Sequence, residues 1–215
     1  MKSMLMLCDL DGTLIANDND MFIAEAARVF SKLGMPIPQS KLAMALKRGD
    51  IFEALPTGVT NGDALRRKFW SAYDPSKEPA PRIFPGVRRA LAAWKSEGHR
   101  AVLVTARRTT RRELYKILEQ VKLPHLVEDV FCQAPHIPSA IDKVDLFSSV
   151  MKQLAIPQSG TLVVGDTPTD MQSARICQIQ HRIAVLSGGY PADKLLDSGA
   201  TRIGQSIAEP ELLDL

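Results

Sequence analysis

The stretch Met-Leu-Met-Leu-Cys-Asp-Leu-Asp-Gly-Thr-Leu, residues 4–14, places an apolar run directly before two carboxylates. Residues 4–7 have the length and composition of a buried strand. Asp9 and Asp11 are two residues apart, so on an extended chain their side chains share one side. Gly12 allows a sharp turn after them because it has no Cβ. If this strand is central in a parallel sheet, both acids lie at the carboxyl edge, where open α/β sheets bind ligands.

Length, charge and cysteine content narrow the class of protein. The chain of 215 residues suits one core domain with an insert. Lys and Arg outnumber Asp and Glu by 27 to 24, an excess too small to indicate a nucleic-acid polymer or a membrane as partner. Three widely spaced cysteines, Cys8, Cys132 and Cys177, favour reduced thiols in a cytoplasmic protein over disulfides or a zinc site. The first apolar run is too short for a signal peptide, and the sequence leaves the oligomeric state open.

The segment after the first motif has helical periodicity without a strand pattern. Apolar stripes end before Gly34 and before Gly49, and a third stripe contains Phe69 and Trp70. Prolines at positions 75, 79, 81 and 85 then predict a semi-rigid connection. We therefore predict an all-helical insert over residues 17–81 in a core formed by residues 1–16 and 82–215.

From Gly86 onward, helical patterns alternate with short apolar runs. The pattern predicts strands over residues 101–105, 127–132, 161–164 and 182–186. It predicts helices over residues 87–97, 111–121, 143–154, 168–177, 191–198 and 206–213. Such alternation is typical of an α/β fold whose parallel sheet carries helices on both faces, as in Rossmann-like proteins.

Further polar residues follow the predicted strands. Thr105 closes one strand, and Asp166 follows another, with Asp170 four residues later. Lys143 opens the helix that precedes the Asp166 strand. In a doubly wound sheet, all four side chains can converge on the edge that Asp9 occupies.

Carboxylates, a hydroxyl and an ammonium group make chemical sense together where an anion meets a divalent cation. Phosphoryl transfer fits this set. Asp9 would attack phosphorus and form an aspartyl-phosphate, which divides one difficult displacement into two easier ones. Asp11 would act as general acid toward the leaving oxygen and as general base toward water.

Hard oxygen ligands indicate Mg²⁺ as the cation. The predicted metal residues are Asp9, Asp11 through its backbone carbonyl, Asp166 and Asp170. Of the last two, Asp166 is favoured as the direct ligand, and Asp170 as a residue that orients Lys143 or acts through water. Lys143 and the Thr105 hydroxyl would contact the equatorial phosphoryl oxygens, over which the transition state spreads its charge.

These residues, in this order, resemble the four motifs of the haloacid dehalogenase superfamily. Residues 9–14, Thr105, Lys143 and residues 165–170 carry the resemblance, which covers nearly the whole chain. The helical insert is similar to the small cap of the phosphoglycolate phosphatase-like and β-phosphoglucomutase-like branch. The resemblance implies a Rossmann-like core, a mobile cap, Mg²⁺ and a small phosphomonoester such as a sugar phosphate, phosphoglycolate or a nucleotide.

The same resemblance assigns roles to individual residues. Asp9 matches the nucleophile, Asp11 the acid/base residue, and Asp166 and Asp170 the acidic fourth motif. The predicted substrate-binding residues are Thr105, Ala106, Lys143, Arg48 and Arg107. Three positions depart from the branch: Ala106 follows Thr105, Val144 follows Lys143, and Gln178 stands where the branch has glycine.

Other interpretations stay open at this point. Lys152 is the alternative to Lys143, and the arginines around Arg107 could form a solvated basic face. A phosphomutase would use the same residues, whereas a haloalkanoic acid dehalogenase would need neither Asp11 nor the acidic fourth motif. A non-catalytic module that binds phosphate and metal is a third alternative.

Overall fold

The computed structural model describes residues 3–16, 18–48, 51–59, 62–74, 80–133, 143–209 and 211–213. The chain divides into two compact units. One consists of Met1–Asn17 with Pro81–Leu215, and the other of Asp18–Ala80.

The larger unit contains a six-stranded parallel sheet. Its strands are β1 (Leu5–Cys8), β2 (Arg100–Arg108), β3 (Asp129–Gln133), β4 (Thr161–Gly165), β5 (His181–Val185) and β6 (Arg202–Gly204), in the order β3-β2-β1-β4-β5-β6. β1 is central, with Cys8 beside Leu103 of β2 and Val164 of β4. The order reverses at β1, which is the point where sheets of this kind form a binding crevice. The predicted α/β class with a parallel sheet is confirmed.

The helices in the described part of the chain connect these strands or belong to the smaller unit. They are α1 (Asn19–Lys32), α2 (Gln39–Arg48), α3 (Gly62–Ala72), α4 (Val87–Ser96), α5 (Arg111–Gln120), α6 (Val144–Leu154), α7 (Pro168–Ile176) and α8 (Ala192–Asp197).

The sheet is buried on both faces because alternate strand residues point to opposite sides. Met6 and Leu103 pack with α4 and α5, whereas Leu7 and Val102 pack with α6, α7 and α8. A strand between two helical layers must be apolar throughout, which accounts for the unbroken run that precedes Asp9. The two layers fix the strand ends that carry the site.

The smaller unit has its own aromatic core. The rings of Phe30, Phe52 and Phe69 are 4.8–5.6 Å apart between centroids. Asp18 caps α1 by accepting a hydrogen bond from the Met21 amide. A further stabilising contact is the Arg28 and Glu25 ion pair within α1. Aromatic packing of this kind stabilises a small helical domain beyond the area it buries.

Two elements near the carboxyl end of the sequence differ from prediction. The pattern predicts a helix over residues 206–213, but residues 207–208 and 211–213 form turns, residues 206 and 209 are not helical, and residue 210 lies outside the described residues. A proline at position 210 offers no amide proton to continue helical hydrogen bonding. The strand Arg202–Gly204 was not predicted, since three residues are too few for an alternating pattern. In the described part of the chain, no helix is long and apolar enough to cross a membrane.

Candidate active site

The first two carboxylates of the site follow adjacent strands of the sheet. Asp9 comes directly after β1, and its amide donates to the Val164 carbonyl of β4 at 2.9 Å. Asp166 comes directly after β4. Both side chains are buried, Asp9 at 6% exposure and Asp166 at 1%. Two buried acids at neighbouring strand ends cost stability, so they indicate a functional role.

Lys143 supplies the positive charge of this cluster. It precedes α6, and its Nζ donates to Asp9 Oδ1 at 2.5 Å and to Asp170 Oδ1 at 2.6 Å. Its amide donates to Ser173 Oγ of α7 at 2.9 Å, which fixes the backbone of the lysine. Lys152, the alternative, is exposed in the last turn of α6. The structure thus brings Lys143, and not Lys152, to the carboxylates.

Asp170 is held by the first turn of α7. Thr167 and Asp170 form a capping box, in which the Asp170 carboxylate accepts from the Thr167 amide at 3.1 Å and hydroxyl at 2.6 Å. Its other oxygen accepts from Lys143. With both oxygens engaged, Asp170 is suited to orient Lys143, as the sequence favours.

Asp166 lies in a tight cradle of small residues. Thr13 donates its hydroxyl to Asp166 Oδ1 at 2.8 Å. A Cβ on Gly12 would lie 2.2 Å from Asp166 Oδ2, and one on Gly188 only 1.7 Å from it. Gly12 also has a φ of +76°, which favours glycine. Any larger residue at either position must displace the carboxylate.

The charges of the cluster perturb one another. Burial raises the pKa of Asp9 to about 7, although Lys143 opposes this rise. Burial and the neighbouring Asp9 also raise the pKa of Asp166 well above its usual range. Burial lowers the pKa of Lys143, but the attraction of Asp170 and Asp9 outweighs this effect and the pKa is raised. The lysine is therefore an ammonium at physiological pH.

The donor set fits a hard divalent cation. Asp9, Asp166 and Asp170 each offer a carboxylate oxygen, and these oxygens lie within 4.8 Å of one another. Three buried carboxylates face one ammonium group, so when all three are ionised the cluster carries an excess of negative charge that a cation would offset. Oxygen ligands of this type match Mg²⁺ and do not match soft metals.

The residues of the second motif lie on the neighbouring strand. Thr105 is buried in β2, and its hydroxyl accepts from the Arg107 amide at 3.2 Å. The pairing of β2 with β3 is irregular between Thr105 and Arg108, around the half-buried Ala106. The Arg107 guanidinium contacts both oxygens of Asp11. The Asp11 side chain is thus paired with a cation and does not belong to the carboxylate cluster.

Arg48 lies in the smaller unit. Its Nε donates to Glu53 at 2.7 Å, and both side chains are about half exposed. Its role toward a substrate stays a prediction.

Several contacts at the site were not predicted from the sequence. They are made by Thr13, Thr167, Ser173, Ser187 and Gly188. Ser187 donates to the Gly12 carbonyl at 2.6 Å and so ties the turn after β5 to the first motif. Thr13 and Thr167 lie within the first and fourth motifs, whereas nothing in the local sequence marks the other three residues.

Comparison with known proteins agrees with this architecture. The curated phosphoglycolate phosphatase of Pseudomonas putida is 28% identical over 211 residues, covering 90% of this chain and 73% of the relative. A haloacid dehalogenase-like family hydrolase from Streptococcus pneumoniae has a TM-score of 0.73 at 20% identity, covering 96% of each chain. A predicted phosphatase from Clostridium acetobutylicum has a TM-score of 0.77 at 21% identity, covering all of both chains.

The family assignment depends on a match to most of the sequence. The sequence model of the haloacid dehalogenase-like hydrolases matches residues 6–184, which include the carboxylate cluster, Lys143 and the second motif. With its central-strand aspartates at the carboxyl edge of a parallel sheet, the chain belongs to the haloacid dehalogenase-like hydrolase family.

Proposed function

We propose that this hydrolase is a Mg²⁺-dependent phosphatase that cleaves a small phosphomonoester through an aspartyl-phosphate on Asp9. One observation carries the proposal: the buried Asp9 carboxylate contacts the Lys143 ammonium and lies beside Asp166 and Asp170 at the carboxyl edge of the sheet. A nucleophile, a fixed cation and an acidic metal site are the groups that phosphoryl transfer requires.

In the first step, an Asp9 carboxylate oxygen forms a bond to phosphorus while the bond to the leaving oxygen breaks. Asp11 donates its proton to that oxygen, so the leaving group departs as an alcohol. In the second step, water attacks phosphorus, and Asp11 takes a proton from it. The Asp9–phosphorus bond breaks, inorganic phosphate leaves, and the Asp9 carboxylate is restored.

Fixed hydrogen-bond donors, one of them cationic, stabilise the charge of the transferred phosphoryl group. The Lys143 ammonium is already beside Asp9, and the Thr105 hydroxyl is fixed on β2 by the Arg107 amide. Because both donors are held before substrate binds, little reorganisation is needed during the reaction. Ala106 offers its backbone at the same edge.

Asp9, Asp166 and the Asp11 carbonyl would hold Mg²⁺, with Asp170 as the orienting acid. When bound, the ion neutralises charge on phosphoryl oxygens and offsets the repulsion between the anionic nucleophile and its anionic substrate. Thr13, Gly12 and Gly188 keep Asp166 in place for this role.

We infer the substrate class and the cellular location from the smaller unit, the curated relatives and the cysteines. The smaller unit, residues Asp18–Ala80, would serve as the cap, with Arg48 contacting the substrate. Curated relatives are phosphoglycolate phosphatases, which supports a small substrate such as phosphoglycolate, a sugar phosphate or a nucleotide. Cys8, Cys132 and Cys177 form no disulfide, which supports a reducing, cytoplasmic compartment.

The test measures phosphate release from phosphoglycolate, sugar phosphates and nucleoside monophosphates, with Mg²⁺ and with EDTA. The native protein and Asp9→Asn are compared. Turnover that needs Mg²⁺ and is lost in Asp9→Asn supports the proposal. Dependence of turnover on a bisphosphate activator would instead indicate a phosphomutase, and metal binding without any turnover would indicate a binding module.

A further inference from the structure

The Asp11 side chain is held by a two-point ion pair with Arg107. Arg107 Nε lies 2.5 Å from Asp11 Oδ2, and its terminal nitrogen lies 2.6 Å from Oδ1. Each side chain is 26% exposed. This parallel geometry is the strongest that arginine forms with a carboxylate, and it uses both oxygens of the acid.

The position of Arg107 is built into the second motif. The pairing of β2 with β3 shifts register after Thr105, and there the Arg107 amide donates to the Thr105 hydroxyl at 3.2 Å. The arginine is therefore tied by its backbone to a phosphoryl-binding residue and by its side chain to the acid/base residue. In the sequence, Arg107 lies 96 residues from Asp11 and two residues from Thr105.

This ion pair conflicts with the proposed role of Asp11. A general acid must present a proton to the leaving oxygen, and a carboxylate with both oxygens on a guanidinium cannot do so. The guanidinium must leave Asp11 when substrate binds. A substrate anion is the natural replacement, because carboxylates and phosphates match the same arginine geometry. Because the pair is partly exposed, breaking it costs only a modest free energy.

The place where the substrate anion would replace Asp11 on Arg107 indicates which part of the substrate carries that anion. Lys143 and Thr105 serve the transferred phosphoryl group, whereas Asp11 serves the leaving oxygen. The guanidinium beside Asp11 therefore faces the leaving-group side. A second anionic group on the leaving group would capture Arg107 and release Asp11 in the same event.

We propose that Arg107 is a specificity-determining residue that selects phosphomonoesters whose leaving group carries a carboxylate or a second phosphate. In the free enzyme it holds Asp11, and in the complex it binds the second anion. This inference rests on the proposed phosphatase function. It adds a substrate class, a mode of selection and a reason for an arginine at this position.

The first test compares three substrates on one two-carbon scaffold: phosphoglycolate, ethylene glycol bisphosphate and 2-hydroxyethyl phosphate, whose leaving group is uncharged. For the native enzyme with Mg²⁺, we expect kcat/KM for at least one substrate with an anionic leaving group to exceed that for 2-hydroxyethyl phosphate by about tenfold or more. In Arg107→Gln this preference should disappear, so that the ratio of the kcat/KM values falls to about one. Arg107→Lys should restore part of the preference. The better of the two anionic substrates distinguishes a carboxylate from a phosphate.

Arg89→Gln is the matched control. Arg89 is an exposed arginine of α4 in the same unit, so its loss changes the net charge equally without touching the pair. The substrate ratio of this variant should equal that of the native enzyme. Circular dichroism and melting curves establish that each variant is folded before its kinetics are compared.

A second test measures binding without turnover. Isothermal titration calorimetry in the presence of Mg²⁺ measures the affinity for 3-phosphonopropionate, a non-hydrolysable analogue of phosphoglycolate. Asp11→Asn should bind it more tightly than the native protein, because the side chain at position 11, which competes with the ligand for Arg107, has lost its charge. Arg107→Gln should bind it more weakly. A purely structural role for the pair predicts no tightening in Asp11→Asn.

The outcomes separate the two proposals. If the native enzyme cleaves all three substrates with equal kcat/KM, or if Arg107→Gln changes kcat/KM for all three by the same factor, the inference on Arg107 is wrong and the phosphatase proposal stands. Unchanged or weaker phosphonate binding by Asp11→Asn also overturns it. If no phosphomonoester, including p-nitrophenyl phosphate, is cleaved, the proposed function fails and the inference fails with it.

Discussion

Lys143 is the residue on which the electrostatics of the site depend. Its ammonium group lies between Asp9 and Asp170 and is almost wholly buried. An ammonium at this depth is stable because the two carboxylates compensate for its lost hydration. The same arrangement leaves two buried acids without a cationic partner if the lysine is removed.

We expect Lys143→Ala to lower kcat by about a hundredfold or more, since a fixed charge on the transferred phosphoryl group is lost. The variant should also lose roughly 3–5 kcal/mol of stability. Phosphate-release kinetics and urea unfolding measure the two effects. Lys152→Ala, which removes an exposed lysine of α6, should stay within about twofold of the native rate. Equal losses of kcat in Lys143→Ala and Lys152→Ala would contradict the assignment of Lys143 as the lysine of the site.

Asp9 illustrates how a functional residue lowers stability. Its native pKa is about 7, above the ordinary value of 3.8, so the native state retains a proton that the unfolded state releases. The free energy of unfolding therefore falls as pH rises through the window between these values. Above about pH 7 the native state holds a destabilising buried charge.

Asp9→Asn lacks this charge at every pH. In EDTA at about pH 8, we expect the variant to melt roughly 2–4 °C or more above the native protein, which corresponds to at least 1 kcal/mol in a domain of this size. At about pH 4 the native Asp9 is protonated, and the difference should shrink. Scanning calorimetry across this pH range is the measurement. A difference independent of pH would show that Asp9 does not titrate in the native state.

The residues of the site differ in how far the sequence could predict them. The cluster of Asp9, Lys143, Asp166 and Asp170 follows from polar residues at strand and helix ends of a parallel sheet. The pairing of Asp11 with Arg107 could not be predicted, because it depends on the irregular end of β2 and joins residues 96 positions apart. The sequence indicates which groups meet but not how each charge is partnered.

Among the elements, the short 3₁₀ turn Leu186–Gly188 after β5 does more than connect secondary structure. It brings Gly188 against the Asp166 carboxylate, and its Ser187 hydroxyl bonds to the Gly12 carbonyl. The turn therefore forms one wall of the acidic site. A side chain at position 188 cannot be accommodated unless Asp166 moves.

We expect Gly188→Ala to weaken Mg²⁺ activation, because a Cβ would lie 1.7 Å from Asp166 Oδ2. The Mg²⁺ concentration for half-maximal activity should rise by about tenfold or more, as for other changes that displace a metal ligand. Gly62→Ala is the control, since a Cβ at Gly62 has no neighbour within 4 Å. Mg²⁺ titrations of phosphate release compare the two variants. An unchanged requirement in Gly188→Ala would show that Asp166 is not constrained by this turn.

The long elements were predictable because their apolar patterns are regular. The predicted strands and the helices from α4 to α8 agree with the structure to within a few residues. β6 was missed because three residues carry no periodicity. The predicted helix over residues 206–213 was wrong, since apolar spacing alone does not account for the proline at position 210. Length and periodicity decide which elements a sequence reveals.

For the whole molecule, folding and metal binding should be coupled. The acids that would hold Mg²⁺ must be ionised to bind it, and burial raises the pKa values of Asp9 and Asp166. Protons therefore compete with the metal at low pH. We expect Mg²⁺ to raise the melting temperature more at about pH 8 than at about pH 5. Melting curves with Mg²⁺ and with EDTA at each pH test this, and an equal shift at both would exclude the buried acids as ligands.

The central claim, that Asp9 is phosphorylated during turnover, can be tested by trapping the intermediate. Asp11→Asn, which lacks the base for hydrolysis, is mixed with Mg²⁺ and p-nitrophenyl phosphate, whose phenolate leaving group departs without a proton from Asp11. The mixture is quenched in acid within milliseconds and analysed by peptide mass spectrometry. We predict the added mass of one phosphoryl group on the peptide that contains Asp9, and none in the Asp9→Asn, Asp11→Asn double variant. A phosphoryl group on another residue, or turnover by Asp9→Asn itself, would contradict the account.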